Sequence, residues 1–238
     1  MHAKKVSITL DLDWIHDDIS EWVINWVESE NVPVTVFATH LSPAVSKMRE
    51  SAYFEVGIHP NFNDLLSGVS SNETTYDRIK LLKDLIPEAT SVRSHSLTQS
   101  SRILDMFSEF GFTHEVNTFI PATCDQILKP WYHCDSNMLR LPYIFDDSLA
   151  SRIEGLWDVD KLISPPLSIL NFHFGRLFIN AYSDIIADDA LAVRRCPEKF
   201  SKFRRPVSET GSFNLLNKLK QLRDEKTLSF EHISEITI

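Results

Sequence analysis

The chain has 238 residues, 43% of them hydrophobic and 24% charged, which is the composition of a folded globular protein and excludes a disordered or membrane-embedded one. Its net charge of −9 excludes bulk attraction to nucleic acid or to an anionic membrane surface. No apolar run approaches the roughly 20 residues that a bilayer crossing needs.

Strand-like and helix-like segments alternate from the start. Val6–Asp13 shows period-two alternation, with Val6, Ile8, Leu10 and Leu12 on one face and Ser7, Thr9, Asp11 and Asp13 on the other. A helix follows, with Ile19, Trp22, Val23, Trp26 and Val27 at helical spacing and Asp18-x-x-Glu21 as its expected capping box. Pro33 stops it, and Val34–Ala38 reads as a short buried strand. Leu41–Glu50 reads as helix, Phe54–His59 as strand, Thr75–Ile86 as helix and Ser91–Ser94 as strand. Ser101–Phe110 is a helix closed by Gly111, and Phe112–Val116, Met138–Leu141 and Leu167–His173 are strands. Asn117–Asn137 is the least regular stretch and reads as a long loop, and Gly211 precedes a last helix. Repeated βα units predict a parallel sheet with helices outside it, in one domain over residues 1–238.

Four strand ends carry the chemistry. The first delivers Asp11 and Asp13, two residues apart and so on one strand face. Paired carboxylates repel unless a cation, a metal or an arginine, neutralises one of them. The others deliver His59, then Arg93 with His95, then Asn171 with His173. In a parallel barrel, inward side chains at the C-terminal strand ends build the site. An arginine there can hold a carboxylate ionised, and a histidine can donate a proton to a departing amine. Each residue also has a bland reading: an end-of-strand carboxylate, a surface arginine pair, a histidine satisfied by a carbonyl.

In order along the chain, TLDLDW, EVGIHPNF, VRSHSL, LRLPYIFDD and ILNFHF resemble the polysaccharide deacetylase (NodB homology) family, nearest a branch with a D-x-D first motif linked to O-antigen sugar modification. The resemblance runs from Val6 to about Phe230. It implies a distorted (β/α) barrel of about seven βα units and a mononuclear metal, usually zinc, that removes an N-acetyl group from an amino sugar. It implies Asp11 as general base, Asp13 and His59 as metal ligands, Arg93 as the residue orienting Asp11, and His173 as general acid. Asp146 or Asp147 would support the arginine. One departure is informative: the second motif is usually H-[ST]-x-x-H, yet the fourth residue after His59 is Asn63, a poor zinc ligand. His95 is the expected replacement ligand, with Asn63 or a second water as fallback.

Two further readings share these residues: a hydrolase for a formyl or ring amide, and a degenerate, metal-free carbohydrate-binding protein. The partner expected in each case is a carbohydrate or sugar conjugate. Since MHAKKVSITLDLDW enters a strand pattern without a signal-peptide core, a cytoplasmic location is expected. Cys124, Cys134 and Cys196 have no metal or disulfide spacing. Trp14, Phe62 and Trp131 could stack on sugar rings, though packing is the commoner use of such residues. Arg194–Arg205 carries six basic residues and one acid, readable as a solvated face or as a contact for the phosphate of a nucleotide- or lipid-linked sugar.

Overall fold

A computed structural model describes residues 3–68, 73–124, 126, 129–134, 136–183 and 189–238. Its strands are β1 (Lys4–Asp11), β2 (Val34–Ala38), β3 (Phe54–Ile58), β4 (Ser91–Val92), β5 (His114–Phe119), β6 (Trp131–Tyr132), β7 (Leu139–Tyr143), β8 (Phe145–Asp146), β9 (Ile169–His173) and β10 (Leu228–Phe230). They form one sheet in the order β6-β7-β5-β4-β3-β2-β1-β9-β8, with β10 beside β1. Every pairing is parallel except that of β6 with β7.

The sheet curls back on itself through one stretch of chain. β7 pairs with β5, and β8, one residue later, pairs with β9. Ile144 at the bend donates its N–H to the Ile169 carbonyl at 3.0 Å. The result is the expected distorted (β/α) barrel. Both faces of β1 are therefore buried, as parallel strands require. Val6, Ile8, Leu10 and Leu12 join the main apolar core, while Ser7, Thr9 and Asp11 are buried on the other face. Gly57 of β3 has no room for a side chain, since a Cβ there would meet Ser91 Oγ at 2.5 Å and the Ser91 carbonyl at 2.6 Å. Its bare backbone lets β3 and β4 approach just before each delivers a site residue.

The longer helices bury one face each. α1 (Asp17–Glu30) buries Ile19, Val23, Ile24 and Val27. α2 (Pro43–Glu50), α3 (Asn63–Leu66), α4 (Thr75–Leu85) and α5 (Ser101–Glu109) follow, then α6 (Val159–Ile163), α7 (Phe174–Ile179), α8 (Pro197–Phe200) and α9 (Ser212–Asp224). Among the described residues, no helix is long and apolar enough to cross a membrane.

Several expectations need correction. The cap of α1 is His16, whose Nδ1 accepts the Asp18 N–H at 3.2 Å, so Asp18 lies inside the helix and no Asp18–Glu21 box forms. β5 starts later than expected and runs into the supposed loop, which also holds β6. α7 begins directly after His173. Phe174, Gly175, Arg176, Leu177 and Ile179 are all buried in it, so the segment has no amphipathic rhythm to read. Strand ends fall early: β1 stops at Asp11, β3 at Ile58 and β4 at Val92.

Candidate active site

The register of β1 on β9 aligns Thr9 with Asn171 and Asp11 with His173. Four polar side chains thus share the inner surface at the C-terminal end of two neighbouring strands. Opposite them Arg93 enters the barrel, fully buried between the rings of Phe37 and Tyr143, whose centroids lie 4.6 and 4.5 Å from its guanidinium carbon. This excludes the surface-pair reading of Arg93. Its Nε donates to the Val116 carbonyl at 3.0 Å, and Nη1 donates to Thr9 Oγ1 at 2.9 Å, to Asp11 Oδ1 at 3.1 Å and to Asn171 Oδ1. Asn171 in turn donates to Asp11 Oδ2 at 2.9 Å and to Asp146 Oδ2 at 3.1 Å. Both oxygens of Asp11 are held from the barrel side. Burial alone would raise the Asp11 carboxyl, but the charges of His59, Arg93 and His173 outweigh burial and keep it below its ordinary pKa.

Asp13 does not reach the site by strand alternation. The chain leaves β1 through two consecutive left-handed residues, Asp13 at φ 47° and Trp14 at φ 52°. Such backbone is costly for non-glycine residues and tends to persist where a side chain must be aimed. Here it turns Asp13 Oδ1 toward His59 Nε2 (3.5 Å) and His95 Nδ1 (3.1 Å), while His95 Nδ1 and His59 Nε2 stand 3.3 Å apart. His59 Nδ1 is committed to the Arg93 carbonyl at 2.7 Å, which leaves Nε2 facing the other two atoms. A tetrahedral ion with bonds of about 2.0–2.2 Å separates its ligand atoms by roughly 3.3–3.6 Å. The spacing and donor types of Asp13, His59 and His95 therefore fit a zinc-like ion.

His95 likewise leaves the strand, in a turn whose Ser96 and Leu97 are both at φ 55°. That turn rests on the segment after His59: the His95 N–H donates to the Pro60 carbonyl at 2.9 Å, and Asn63 Nδ2 donates to Ser96 Oγ at 3.0 Å. Asn63 is thus engaged with the loop that carries His95 rather than with the Asp13–His59–His95 group.

His173 stands beside Asp11 on the neighbouring strand. Its Nδ1 donates to Asp147 Oδ1 at 2.7 Å, and its Nε2 faces Asp13 Oδ2 at 3.6 Å and Asp11 Oδ2 at 3.8 Å. Burial lowers the affinity of His173 for its proton, but the charge and hydrogen bond of Asp147, helped by Asp146 and Asp13, reverse this and push its pKa up to about 10. The expectation that Asp146 or Asp147 supports the arginine is corrected: neither is a hydrogen-bond partner of Arg93. Asp147 orients His173, and Asp146 receives Asn171, the Tyr143 hydroxyl at 3.3 Å and the Ser148 N–H at 2.9 Å.

Asp11, Asp13, His59, His95, Asp146 and His173 line a cavity of about 430 Å³, which Arg152, Arg176 and Leu191 also line. Of the aromatic candidates, Phe62 is core, Trp14 packs edge-on against His95 at 5.1 Å, and Trp131 lies under Arg140 on β6. From the sequence, Asn171 is visible only as a face-mate of His173, and Thr9 only as a polar residue on the Asp11 face of its strand. The available signal was a polar residue two before the charged one in each of two otherwise apolar strands.

A parallel barrel with carboxylates, imidazoles and a buried arginine gathered at its strand ends has the architecture of the polysaccharide deacetylases. The chain belongs to that family, in its WbmS-like group, whose profile matches residues 8–185. Among solved structures it is similar to a candidate polysaccharide deacetylase involved in O-antigen biosynthesis from Bordetella bronchiseptica, with 32% identity over 91% of this chain and 89% of that one and a TM-score of 0.84. Two more distant structures share the fold. A candidate polysaccharide deacetylase from Mycobacterium smegmatis has 14% identity, coverage of 100% and 96%, and a TM-score of 0.54. The Bc1960 peptidoglycan N-acetylglucosamine deacetylase has 13% identity, coverage of 98% and 86%, and a TM-score of 0.54. No curated protein matches the chain.

Proposed function

We propose that this deacetylase is zinc-dependent and removes the N-acetyl group from an amino sugar of O-antigen or of its nucleotide- or lipid-linked precursor. It works as one catalytic domain over residues 1–238, in the cytoplasm. The O-antigen assignment rests on the similarity to the Bordetella bronchiseptica protein. The observation that carries the chemistry is the pairing of two groups at the lip of one cavity: Asp11, anchored by Arg93 and Asn171, and, beside it on the neighbouring strand, His173, whose Nδ1 is held by Asp147 and whose Nε2 lies 3.8 Å from Asp11 Oδ2.

Asp13, His59 and His95 would hold the ion, which supplies Lewis acidity to the acetyl carbonyl and acidity to a water. Asp11 takes the proton of that water as its oxygen attacks the carbonyl carbon. Arg93 and Asn171 keep the Asp11 oxygens aimed at the cavity, so little reorganisation is needed at the moment of transfer. When the C–N bond breaks, the amine nitrogen leaves with the electron pair and takes the Nε2 proton of His173. Acetate and a free amino sugar result. Asp147 stabilises the imidazolium before that transfer and fixes the tautomer that points Nε2 at the leaving group.

The test is metal content of the purified protein measured with acetate and formate release from a panel of N-acetylated and N-formylated sugars. Bound zinc near one equivalent with acetate release supports the reading. Formate release alone moves the substrate to a formyl amide, and a metal-free protein that binds sugars without turnover overturns the proposal.

A further inference from the structure

The basic stretch Arg194–Arg205 is out of keeping with a chain of net charge −9, and the structure divides its work. Arg204 is spent on packing, with its guanidinium carbon 5.0 Å from the ring centre of Trp22 and 4.6 Å from that of Phe178. Arg205 pairs with Glu209 at 2.7 Å and donates to the Asn180 and Thr210 carbonyls. Of the remaining four, Arg194, Arg195 and Lys199 line a separate hollow of about 300 Å³, and Lys202 lies outside that lining. Arg194 is fixed there by donating to the Leu191 carbonyl at 3.0 Å. Arg195 and Lys199 are exposed, and among the described residues neither has an acidic partner.

Two observations place this hollow beside the catalytic cavity. Leu191 lies on the cavity wall and the next residue, Ala192, begins the lining of the hollow, so the two linings are contiguous along the chain. The charge of Arg195 is also felt at His40. His40, two residues beyond β2, is made harder to protonate by burial and further by the charge of Arg195, against the pull of Asp17.

We propose that Arg194, Arg195 and Lys199 form a subsite for the diphosphate of an activated sugar whose acetamido group occupies the catalytic cavity. This inference rests on the deacetylase reading above and narrows its substrate class to a glycosyl diphosphate. A cavity of about 430 Å³ suits one sugar unit better than an extended polymer. In a 2-acetamido sugar the nitrogen and the anomeric oxygen sit on adjacent carbons, so a phosphate on that oxygen must emerge at the edge of the same cavity. Guanidinium and ammonium groups held there without acidic partners match a diphosphate in charge and in hydrogen-bond donors. Nucleoside and polyprenyl carriers share this linkage.

The experiment has a binding arm and a turnover arm. Calorimetry on the metal-loaded protein measures inorganic pyrophosphate, UDP and farnesyl diphosphate with wild type, the Arg195→Ala/Lys199→Ala double variant and a Lys218→Ala control on the exposed surface of α9. The expected result is binding by wild type and control and a loss of about tenfold or more in the double variant, as for removal of two charge-assisted contacts. Tighter UDP than farnesyl diphosphate assigns the carrier to a nucleotide, and the reverse assigns it to a lipid. No pyrophosphate binding by wild type, or equal binding by wild type and double variant, overturns the subsite. In turnover, the ratio of kcat/KM for UDP-N-acetylglucosamine to that for free N-acetylglucosamine should fall about tenfold in the double variant, through KM. If no sugar releases acetate, the deacetylase reading fails while the binding arm still decides the subsite.

Discussion

Asn171 donates to Asp11 Oδ2 at 2.9 Å from the amide whose oxygen accepts from Arg93, so one uncharged side chain links a buried cation to the carboxylate it must orient. The same amide nitrogen reaches Asp146 Oδ2 at 3.1 Å. Only a group that both donates and accepts suits this position. Leucine would leave two carboxylate oxygens without that donor and Arg93 with one acceptor fewer, at about 1–3 kcal/mol for each unsatisfied group. Aspartate would bring a third carboxylate against two others. Asn171→Leu is expected to lower kcat about ten- to a hundredfold with little change in KM, and to lower the melting temperature. Asn171→Asp is expected to be at least as damaging to kcat. Steady-state kinetics and thermal melts check both, and wild-type kcat in either variant would remove the role.

The roles of Asp11 and His173 separate by leaving group. Asp11→Asn keeps the volume of the side chain and all three proposed metal ligands, though its amide NH2 faces one of the two donors that held the carboxylate, so zinc content and fold should be retained while turnover drops about 10²- to 10⁴-fold. His173→Ala should slow amide cleavage far more than cleavage of an activated ester, whose leaving group needs no proton. Equal losses on the two substrates would count against His173 as acid, and an unchanged kcat in Asp11→Asn would do the same for Asp11 as base.

Metal affinity distinguishes His95 from Asn63. His95 presents Nδ1 at 3.1 Å from Asp13 and 3.3 Å from His59, whereas Asn63 acts through the Ser96 hydroxyl. His95→Ala should weaken zinc binding by more than about a hundredfold. Asn63→Ala, which only loosens the turn that holds His95, should cost on the order of tenfold. Competition with a fluorescent chelator gives both constants, and the opposite ranking would return Asn63 to the ligand set.

The barrel was largely legible in the sequence because period-two and helical patterns alternate, and because the polar residues fall at the ends of apolar strands. What the pattern could not supply was the backbone beyond those ends. Strand alternation puts Asp13 and His95 on faces shared with Asp11 and Arg93, yet both lie past the strand, aimed by turns with positive φ at Asp13, Trp14, Ser96 and Leu97. No glycine marks either turn, so neither announces itself in the residue string. The carboxylate expected to support Arg93 goes elsewhere for a related reason. Asp146 and Asp147 are adjacent, and only the pairing of β8 with β9 sends one to Asn171 and the other to His173.

That division gives a pH prediction. His173 must carry its proton to act as acid, and its pKa of about 10 in the folded protein, above the ordinary 6.5, keeps the protonated form through neutral and mildly alkaline pH. The sign follows from which form is active: activity is present below this pKa and lost as pH rises through it, so kcat/KM should hold to about pH 9 and fall near pH 10. Asp147 is the largest influence raising that pKa against burial. Asp147→Asn removes its charge and its best acceptor, so burial then dominates and the alkaline limb should move toward neutrality. With a limb below about pH 7, little of the acid form remains at pH 8 and the rate there should drop about tenfold or more. A wild-type pH–rate profile retained in Asp147→Asn would show that the proton on His173 is held by something other than this carboxylate.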